Sequence, residues 1–489
     1  MAIAPERSRP GQPRRCCRYA PAHSRGGGKC MAELAAASRV HLVGIAGSGM
    51  AALATLLLQM GKQVSGSDHS GDSKTLQRLR AAGATVCHGH RPEYLGQADY
   101  VVRSSAVAAD NPEVQAAERR SLPTRKLAEA VGELMRGRAG VAVAGTHGKT
   151  TTTSLVTWLL DQAGLDPLAL IGADTPAFPF GARLGEGPMV VEADEYDRRF
   201  LSYWPEVIVV TSVEPDHLDY YRDLDEIRHT FQTLVDRLPE HGRLIACADD
   251  AGAAWLRPGR AQHETYGFAS GAAWRISDYE AVPGGGSRFE VHVAGRAWEV
   301  TWSLVGEHNA RNATAALAVA DYFGIGLRSS LAALSEFVPP RRRFETKGSP
   351  NGVWIVDDYG HHPTEVCSTL RAARSSAAGH VWVVFQPHTT NRTASLLNEF
   401  GTAFRSADHA LILPIYQPSG RETAPRAVTA ADLACKVSAS GHPDARVVAS
   451  FEEARRLLKN EVRPGDLVLT MGAGDVTLLS DHLIRDFAE

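Results

Sequence analysis

The segment Ala144–Gly145–Thr146–His147–Gly148–Lys149–Thr150–Thr151–Thr152 carries the strongest chemical signal in this chain. It follows an apolar run, Gly140–Val141–Ala142–Val143, and precedes a helix-forming run from Ser154 to Leu160. Glycines between a strand and a helix let backbone N–H groups approach phosphate oxygens, and the helix N-terminus adds positive potential. Lys149 can neutralise β- and γ-phosphates, and the Thr150 hydroxyl can hold Mg²⁺. Two residues, not four, separate Gly145 from Gly148, so the common P-loop spacing is not met. The succession of strand, loop, Lys-Thr and helix still favours a phosphate loop over a plain connecting turn.

Two acidic clusters follow. Glu192–Ala193–Asp194–Glu195–Tyr196–Asp197 comes directly after the apolar Met189–Val190–Val191. The strand-like Val207 to Thr211 runs into Ser212–Val213–Glu214–Pro215–Asp216–His217–Leu218–Asp219. A lone acidic cluster is more often a solvated loop, and His217 alone would more often be a surface or capping histidine. Two strands of one domain ending in acids and a histidine beside a phosphate loop make coincidence the weaker explanation. Hard oxygen donors there suit Mg²⁺.

Two further groups lie outside this region. Gly44–Ile45–Ala46–Gly47–Ser48–Gly49 resembles a dinucleotide turn with Ala at its third position, and Asp68 ends the next strand, where an acid commonly meets a ribose hydroxyl. On this block alone an NAD enzyme is a fair reading. Near the C-terminus, Asp357–Asp358–Tyr359–Gly360–His361–His362–Pro363–Thr364–Glu365 and Phe385–Gln386–Pro387–His388–Thr389–Thr390–Asn391–Arg392–Thr393 each follow a strand. Arg392 could clamp a carboxylate bidentately, and His361 and His388 could orient an amine, although caps and turns explain either segment taken singly. Met471–Gly472–Ala473–Gly474–Asp475 reads as a tight turn.

The elements that must position these groups fall into three blocks. Strands alternate with helices in the first (a strand running into the Gly-rich turn over 38–46, a helix over about 49–61, Val64 to Asp68, a short strand at Val86, and one opened by Tyr100–Val101–Val102 that ends at Arg103–Ser104–Ser105), which predicts a parallel, helix-covered sheet. The second block holds the phosphate loop. Its 265–304 stretch, with a Pro283–Gly286 turn, predicts antiparallel strands, and a helix is expected at about 309–323. The third block, with strands near Val353, Val381, His409 and Asp466, reads as a doubly wound α/β domain.

The 489 residues suffice for about three domains. A net charge of -3 argues against bulk binding to nucleic acid or anionic membrane, so phosphate binding must be local. No run approaches the ~18–20 apolar residues of a membrane span. Seven scattered cysteines, with no paired CxxC, fit a reducing compartment and a cytoplasmic protein. The first 30 residues are rich in Arg, Pro, Ser and Gly and read as a disordered extension; Met31 is a candidate true start.

Together these segments resemble the Mur ligases, in particular their alanine-adding branch. The likeness runs from about Val40 to the C-terminus through GIAGSGM at 44–50, SGSD at 65–68, SSAV at 104–107, DNPE at 110–113, AGTHGKTTTT at 144–153, EADEYD at 192–197, EPDHLDYY at 214–221, GEHNARNATAALAVA at 306–320, RRRFETKG at 341–348, DDYGHHPTE at 357–365 and MGAGD at 471–475. Ala46, Ser212 and Val305 replace a usual Gly, Asn and Pro, and Thr390–Asn391 replaces a common Tyr-Ser. Sibling ligases use a carbamylated lysine near the metal; no lysine lies between Lys149 and Lys347 here, which fits the alanine-adding branch.

The resemblance implies an α/β protein of three domains. These are an N-terminal Rossmann-like domain for a UDP-sugar (38–138, after an extension 1–37), a central P-loop ATPase-type domain (139–338) and a C-terminal Rossmann-like domain presenting the amino acid (339–489). It replaces NAD by a UDP-sugar in the first block. It implies ATP and Mg²⁺ as cofactors, UDP-N-acetylmuramate and L-alanine as substrates, a monomer or homodimer, and neither nucleic acid nor membrane insertion. By matching motifs, Lys149, Glu192, His217, Arg343 and Asp358 are the expected catalytic group. Gly145, Thr146, His147, Gly148, Lys149, Thr150, Thr151, His308, Asn309 and Asn312 are expected at ATP, and Thr150, Glu192 and His217 at the metal. Gly44, Gly47, Gly49, Asp68, His90, Ser104 and Ser105 are expected at the UDP-sugar, and Tyr359, His361, His388 and Arg392 at the amino acid. A tripeptide-attaching recycling ligase of the same family and a non-catalytic nucleotide-binding regulator are the alternatives.

Overall fold

The structure is a computed structural model that describes residues 33–488 apart from 72, 219, 283 and 418–427. The expected extension therefore lies outside the described residues up to 32, as does Pro283 of the expected turn. Residues 33–37 correct the expectation of disorder up to 37. Glu33–Ala36 is helical, Leu34 is fully buried, its N–H reaches Glu133 (3.2 Å), and Arg125 pairs with Glu33 at 2.7 Å. A single apolar side chain with a slot to fill is enough to order that turn.

Three sheets organise the chain. The first contains β1 (Arg39–Val43), β2 (Gln63–Asp68), β3 (Thr85–His88), β4 (Tyr100–Arg103) and β5 (Thr124–Lys126), ordered β3-β2-β1-β4-β5 and all parallel. The order reverses between β1 and β4, the crevice where open α/β sheets bind ligands. The helix after β1 starts at Ser48, one residue before the expected 49.

The second sheet contains β6 (Gly140–Ala144), β7 (Leu168–Leu170), β8 (Ala182–Arg183), β9 (Met189–Ala193), β10 (Val207–Val210), β11 (Arg243–Cys247), β12 (Gln262–Gly267), β13 (Trp274–Ala281), β14 (Ser287–Val293) and β15 (Arg296–Trp302). Its order is β15-β14-β13-β12-β11-β10-β6-β9-β7-β8. β6 lies between β9 and β10, parallel to both, with Ala144 opposite Ala193 on one side and Val210 on the other. All residues of β6 and β10 are buried, as expected of strands covered on both faces. The expected antiparallel pairing holds for β13–β15. It does not hold for β12, which runs parallel to β11 and β13.

The third sheet contains β16 (Glu345–Gly348), β17 (Trp354–Asp358), β18 (Val381–Phe385), β19 (His409–Ile412), β20 (Ala445–Val447) and β21 (Leu467–Met471), ordered β16-β17-β21-β18-β19-β20. Only β16 is antiparallel to its neighbour. The two loops after β17 and β18 flank the end of β21, so the tight turn after β21 wedges them into position. Arg342 donates to Asp357 at 3.1 Å and to the carbonyls of Gly472 and Gly474, and Gln386 donates to Asp475 at 2.7 Å. Among the described residues no helix is long and apolar enough to cross a membrane.

Candidate functional site

The phosphate loop bridges β6 and the helix Lys149–Gln162. Gly145 and Gly148 have φ of +132° and +78°, values that side chains rarely tolerate. A Cβ on Gly148 would lie 2.6 Å from Asn312 Oδ1, and one on Gly145 would strike the hydroxyl of Thr211. Gly148→Ala is therefore expected to weaken ATP binding by about tenfold or more and to lower the melting temperature, because strain and a clash fall on one residue. Calorimetry with the nucleotide checks it.

The acids of the β9 loop converge on this loop. Lys149 Nζ donates to Glu195 Oε2 at 2.9 Å and to the carbonyls of Gly145 (2.5 Å) and Thr146 (3.3 Å). Burial alone would lower the Lys149 pKa; Glu195, Asp194 and Glu192 outweigh it and keep the ammonium charged. Glu192 is held by the Gly172 N–H at 2.9 Å, and a Cβ at Gly172 would collide with its carboxylate, so Gly172 clears that space. His217 lies within electrostatic reach of Glu195 and 4.9 Å, ring to ring, from Tyr196. Lys149 opens the helix after β6, Glu192 lies in β9 and His217 follows β10, so the three belong to strands that lie side by side. The Glu192 carboxylate and the Thr150 hydroxyl are hard oxygen donors that suit Mg²⁺, with His217 completing the set.

The C-terminal domain closes this site from above. Arg343 Nη2 reaches Thr150 Oγ1 at 3.5 Å, and Thr364 Oγ1 donates to Glu214 at 2.6 Å. Between the domains runs a cavity of about 250 Å³ lined by His147, Gly148, Thr151, His308, Asn309, Asn312, Arg343 and Asp358 together with Cys247, Asp249, Asp250, Tyr266 and Arg311. Asp358 accepts from the N–H groups of Phe344 and Gly360 (2.8 Å each), and burial, opposed by Arg343, raises its carboxyl to about 6. Burial lowers His308 to about 4 and keeps it neutral. Asn312 donates to Asn309 Oδ1 at 3.3 Å, and Asn309 is tied to the Val305 carbonyl at 2.8 Å, so the helix Glu307–Tyr322 presents both asparagines rigidly.

His147 lies between carboxylates of both domains, 3.6 Å from Glu214 and 3.4 Å from Glu365. Burial would lower its pKa, but the two acids lift it to about 10. Its ligand atoms, with those of Glu214 and His362, lie within 4.8 Å of one another, and the imidazole bridges acids of both domains across the seam. A raised histidine pKa means stability fully present below about pH 6.5 and lost as pH rises through about 10. The wild type is expected to melt above His147→Gln by several degrees at pH 6, with the gap closing by pH 10; melting curves across that range check it.

Beside the metal set lies a second cavity of about 290 Å³, lined by Tyr196, Asp216, His217, Thr389, Asn391 and Arg392 among others. Tyr359, His361 and His388 form a row at its side, with ring centroids 5.4 and 5.5 Å apart, and Arg392 Nη1 is 3.3 Å from His388 Nδ1. Burial lowers His361 to about 4. His217, Arg342, Phe344 and Thr389 all take left-handed backbone, a conformation costing on the order of 1 kcal/mol or more for a residue with a Cβ, so the seam holds strain that the surrounding packing sustains.

In the first domain, Gly44 (φ +84°) donates to the Ser67 carbonyl, and a Cβ there would touch Ser104 at 3.0 Å. Asp68 caps the same turn through the Ala46 N–H (2.9 Å), and His90 meets Ser67 Oγ at 2.9 Å. Ser104 follows β4, where its N–H donates to Val43, and half-buried Ser105 is next to it. These residues share the β1–β4 crevice. In the same turn, Gly47 has a φ of −60° ahead of the helix, and Gly49 makes room for Leu127, 2.9 Å from where its Cβ would be.

Sequence reasoning did not single out Glu195, Glu214, Asp216, His362 or Glu365, which lie within motifs already noted. It also missed Cys247, Asp249 and Asp250. A signal existed: the run Leu244–Ile245–Ala246 ends in two aspartates one strand away from β10.

Family models describe three successive parts of this chain: "Mur ligase family, catalytic domain" over residues 39–139, "Mur ligase middle domain" over 143–320 and "Mur ligase, glutamate ligase domain" over 342–474. Among curated relatives, the UDP-N-acetylmuramate–L-alanine ligase of Anaeromyxobacter dehalogenans is 44% identical over 91% of this chain and 97% of its own. That of Saccharopolyspora erythraea is 45% identical over 92% and 93%. Among solved structures, a UDP-N-acetylmuramate–alanine ligase from Thermotoga maritima superposes with a TM-score of 0.76 at 25% identity, covering 92% of this chain and 99% of that one. A murein peptide ligase from Psychrobacter arcticus gives 0.67 at 26%, with the same coverage. The chain belongs to the Mur ligase family.

Proposed function

We propose that this chain joins L-alanine to the lactyl carboxylate of UDP-N-acetylmuramate at the expense of ATP, giving UDP-N-acetylmuramoyl-L-alanine, ADP and phosphate in peptidoglycan precursor synthesis. One observation supports the reading above all: a phosphate loop, two acid-bearing strands and an arginine of the C-terminal domain meet at Thr150 and Lys149. Identities of 41–45% to alanine ligases over 91–92% of this chain favour alanine addition, and the tripeptide-attaching alternative has its support in structural likeness at 26–30% identity.

In the reaction, a carboxylate oxygen of the sugar bonds to the γ-phosphorus while the bond to the β-phosphate oxygen breaks, its electron pair leaving with ADP. The resulting acyl phosphate is attacked by the neutral amine nitrogen; the carbonyl–oxygen bond breaks, its electron pair leaving with phosphate, and the nitrogen's proton passes to that phosphate or to solvent. A divalent cation, when bound, supplies charge neutralisation at the transferring phosphoryl group. Thr150, Glu192 and His217 would hold it. Lys149, kept protonated by three carboxylates, adds fixed positive charge, and Arg343 brings a second cation only when the domains meet. Closure of the seam on bound substrates would exclude water, which would hydrolyse the acyl phosphate. Asn309, Asn312 and His308 are placed to receive the nucleotide's far end, and the β1–β4 crevice the UDP group.

The test is one assay: ATP, Mg²⁺ and UDP-N-acetylmuramate with L-alanine, L-serine, glycine or the L-Ala-D-Glu-diaminopimelate tripeptide, read by phosphate release and product mass. Turnover with L-alanine is expected. Turnover with the tripeptide alone, or NADH-linked absorbance change without phosphate release, would overturn the reading.

A further inference from the structure

Asp216 and Arg392 face each other across the seam between the middle and C-terminal domains. Arg392 Nη2 donates to Asp216 Oδ1 at 3.1 Å and to Oδ2 at 3.4 Å. Both side chains are largely buried, 13% and 15% exposed. The guanidinium is incompletely used: Nη1 lies near His388 Nδ1, and Nε is buried with no acceptor. A guanidinium offers a planar fork that accepts a carboxylate on two parallel N–H bonds. Here the Nε–Nη2 edge has one of its two donors engaged, and the pair borders the cavity of about 290 Å³. A buried donor without an acceptor is costly, so its persistence at a cavity wall points to a ligand that completes it.

We propose that Asp216 receives the ammonium group of the amino-acid substrate, and that the Arg392–Asp216 bond is exchanged for the substrate zwitterion. The substrate carboxylate takes the Nε–Nη2 edge of Arg392, and the substrate ammonium takes the carboxylate thereby released. This rests on the reading of the seam as the amino-acid site.

Charge accounting makes the exchange selective. A carboxylate without an amine could capture Arg392 only by leaving the buried Asp216 without its guanidinium, held by the His217 N–H at 2.8 Å, which is unfavourable. A zwitterion replaces both ends of the pair at once. His217, 3.8 Å from Asp216, and His362 also face this carboxylate. Because Asp216 and Arg392 come from different domains, an amino acid that takes both becomes a bridge across the seam.

The full-length wild type and Asp216→Asn are compared by steady-state kinetics, with propionate, which is alanine without its amine, as the probe of carboxylate-only binding. In the wild type, propionate is expected to compete with L-alanine at least about tenfold more weakly than L-alanine binds. In Asp216→Asn the KM for L-alanine is expected to rise at least about tenfold, while the propionate inhibition constant is unchanged or lower. The KM for ATP and the Mg²⁺ dependence should stay within about twofold. Equal binding of propionate and L-alanine to the wild type overturns the proposal, and needs no variant to fold. So does an unchanged alanine KM, a parallel weakening of alanine and propionate, or a shifted Mg²⁺ requirement, which would mean that Asp216 acts through His217. A wild type that turns over no amino acid at all overturns the functional reading itself, and the proposal with it.

Discussion

Lys149→Ala is expected to lower kcat by at least about 10³-fold, the loss typical of removing a fixed charge aimed at developing negative charge. The loss should fall on kcat more than on the KM for the sugar, because the charge matters most as the phosphoryl group transfers. Stability will fall too. Glu195 is 2% exposed and paired with Lys149 at 2.9 Å, so truncation strands a buried carboxylate. Stranding one partner of a buried pair costs about 3–5 kcal/mol, less where the carboxylate takes up a proton. The two effects separate in the double variant Lys149→Ala/Glu195→Gln, which should melt above Lys149→Ala and remain as inactive. Phosphate release together with thermal melting reads both. Near-normal turnover in either variant would contradict the assignment of Lys149.

Arg343→Ala is expected to lower kcat/KM by about 10²-fold. The residue belongs to the C-terminal domain, yet its guanidinium lies 3.5 Å from Thr150 Oγ1 and stands 5.3 Å over the ring of Tyr359. It therefore reports domain closure to the phosphate loop. Removing it deletes a positive charge and also relaxes the opposition to burial at Asp358, whose carboxyl is raised to about 6 with Arg343 in place. The acid limb of the kcat/KM profile should therefore move to higher pH in this variant, since the carboxylate form loses its partner. Arg343→Lys, which keeps the charge without the planar fork, should recover part of the rate. A variant with unchanged rate and unchanged acid limb would place Arg343 outside the reaction.

The alternation of apolar runs with Gly-rich turns made the α/β class legible, because strands buried on both faces leave little room for polar residues: β6 and β10 have none. The phosphate loop was legible for the same reason, since Gly145, Gly148 and Lys149 are each required by local geometry. Short strands such as β5, β8 and β20 were not legible. Strands of three residues or fewer are too short to carry a period, and their pairing is set by their neighbours in the sheet. Site residues that work across the seam were harder still. His147, Glu214 and Glu365 come from three separate motifs, and no spacing in one segment shows that a histidine in a phosphate loop will meet an acid more than two hundred residues later. Gly49 shows the converse, a glycine within a ligand-like motif whose freedom serves the packing of Leu127. Asp216 was visible as one acid among several; its distinction, a bond to Arg392, exists only in the fold.

The central claim is that one metal–nucleotide site is built by the loops after β6, β9 and β10 and completed by the C-terminal domain. It is tested most directly by crystallising the protein with Mn²⁺ and a non-hydrolysable ATP analogue and locating the anomalous manganese peak. The account predicts a peak within bonding distance of Thr150, Glu192 or His217, with the γ-phosphate against Lys149. A nucleotide seated elsewhere, or a manganese peak touching none of those three side chains, would contradict it.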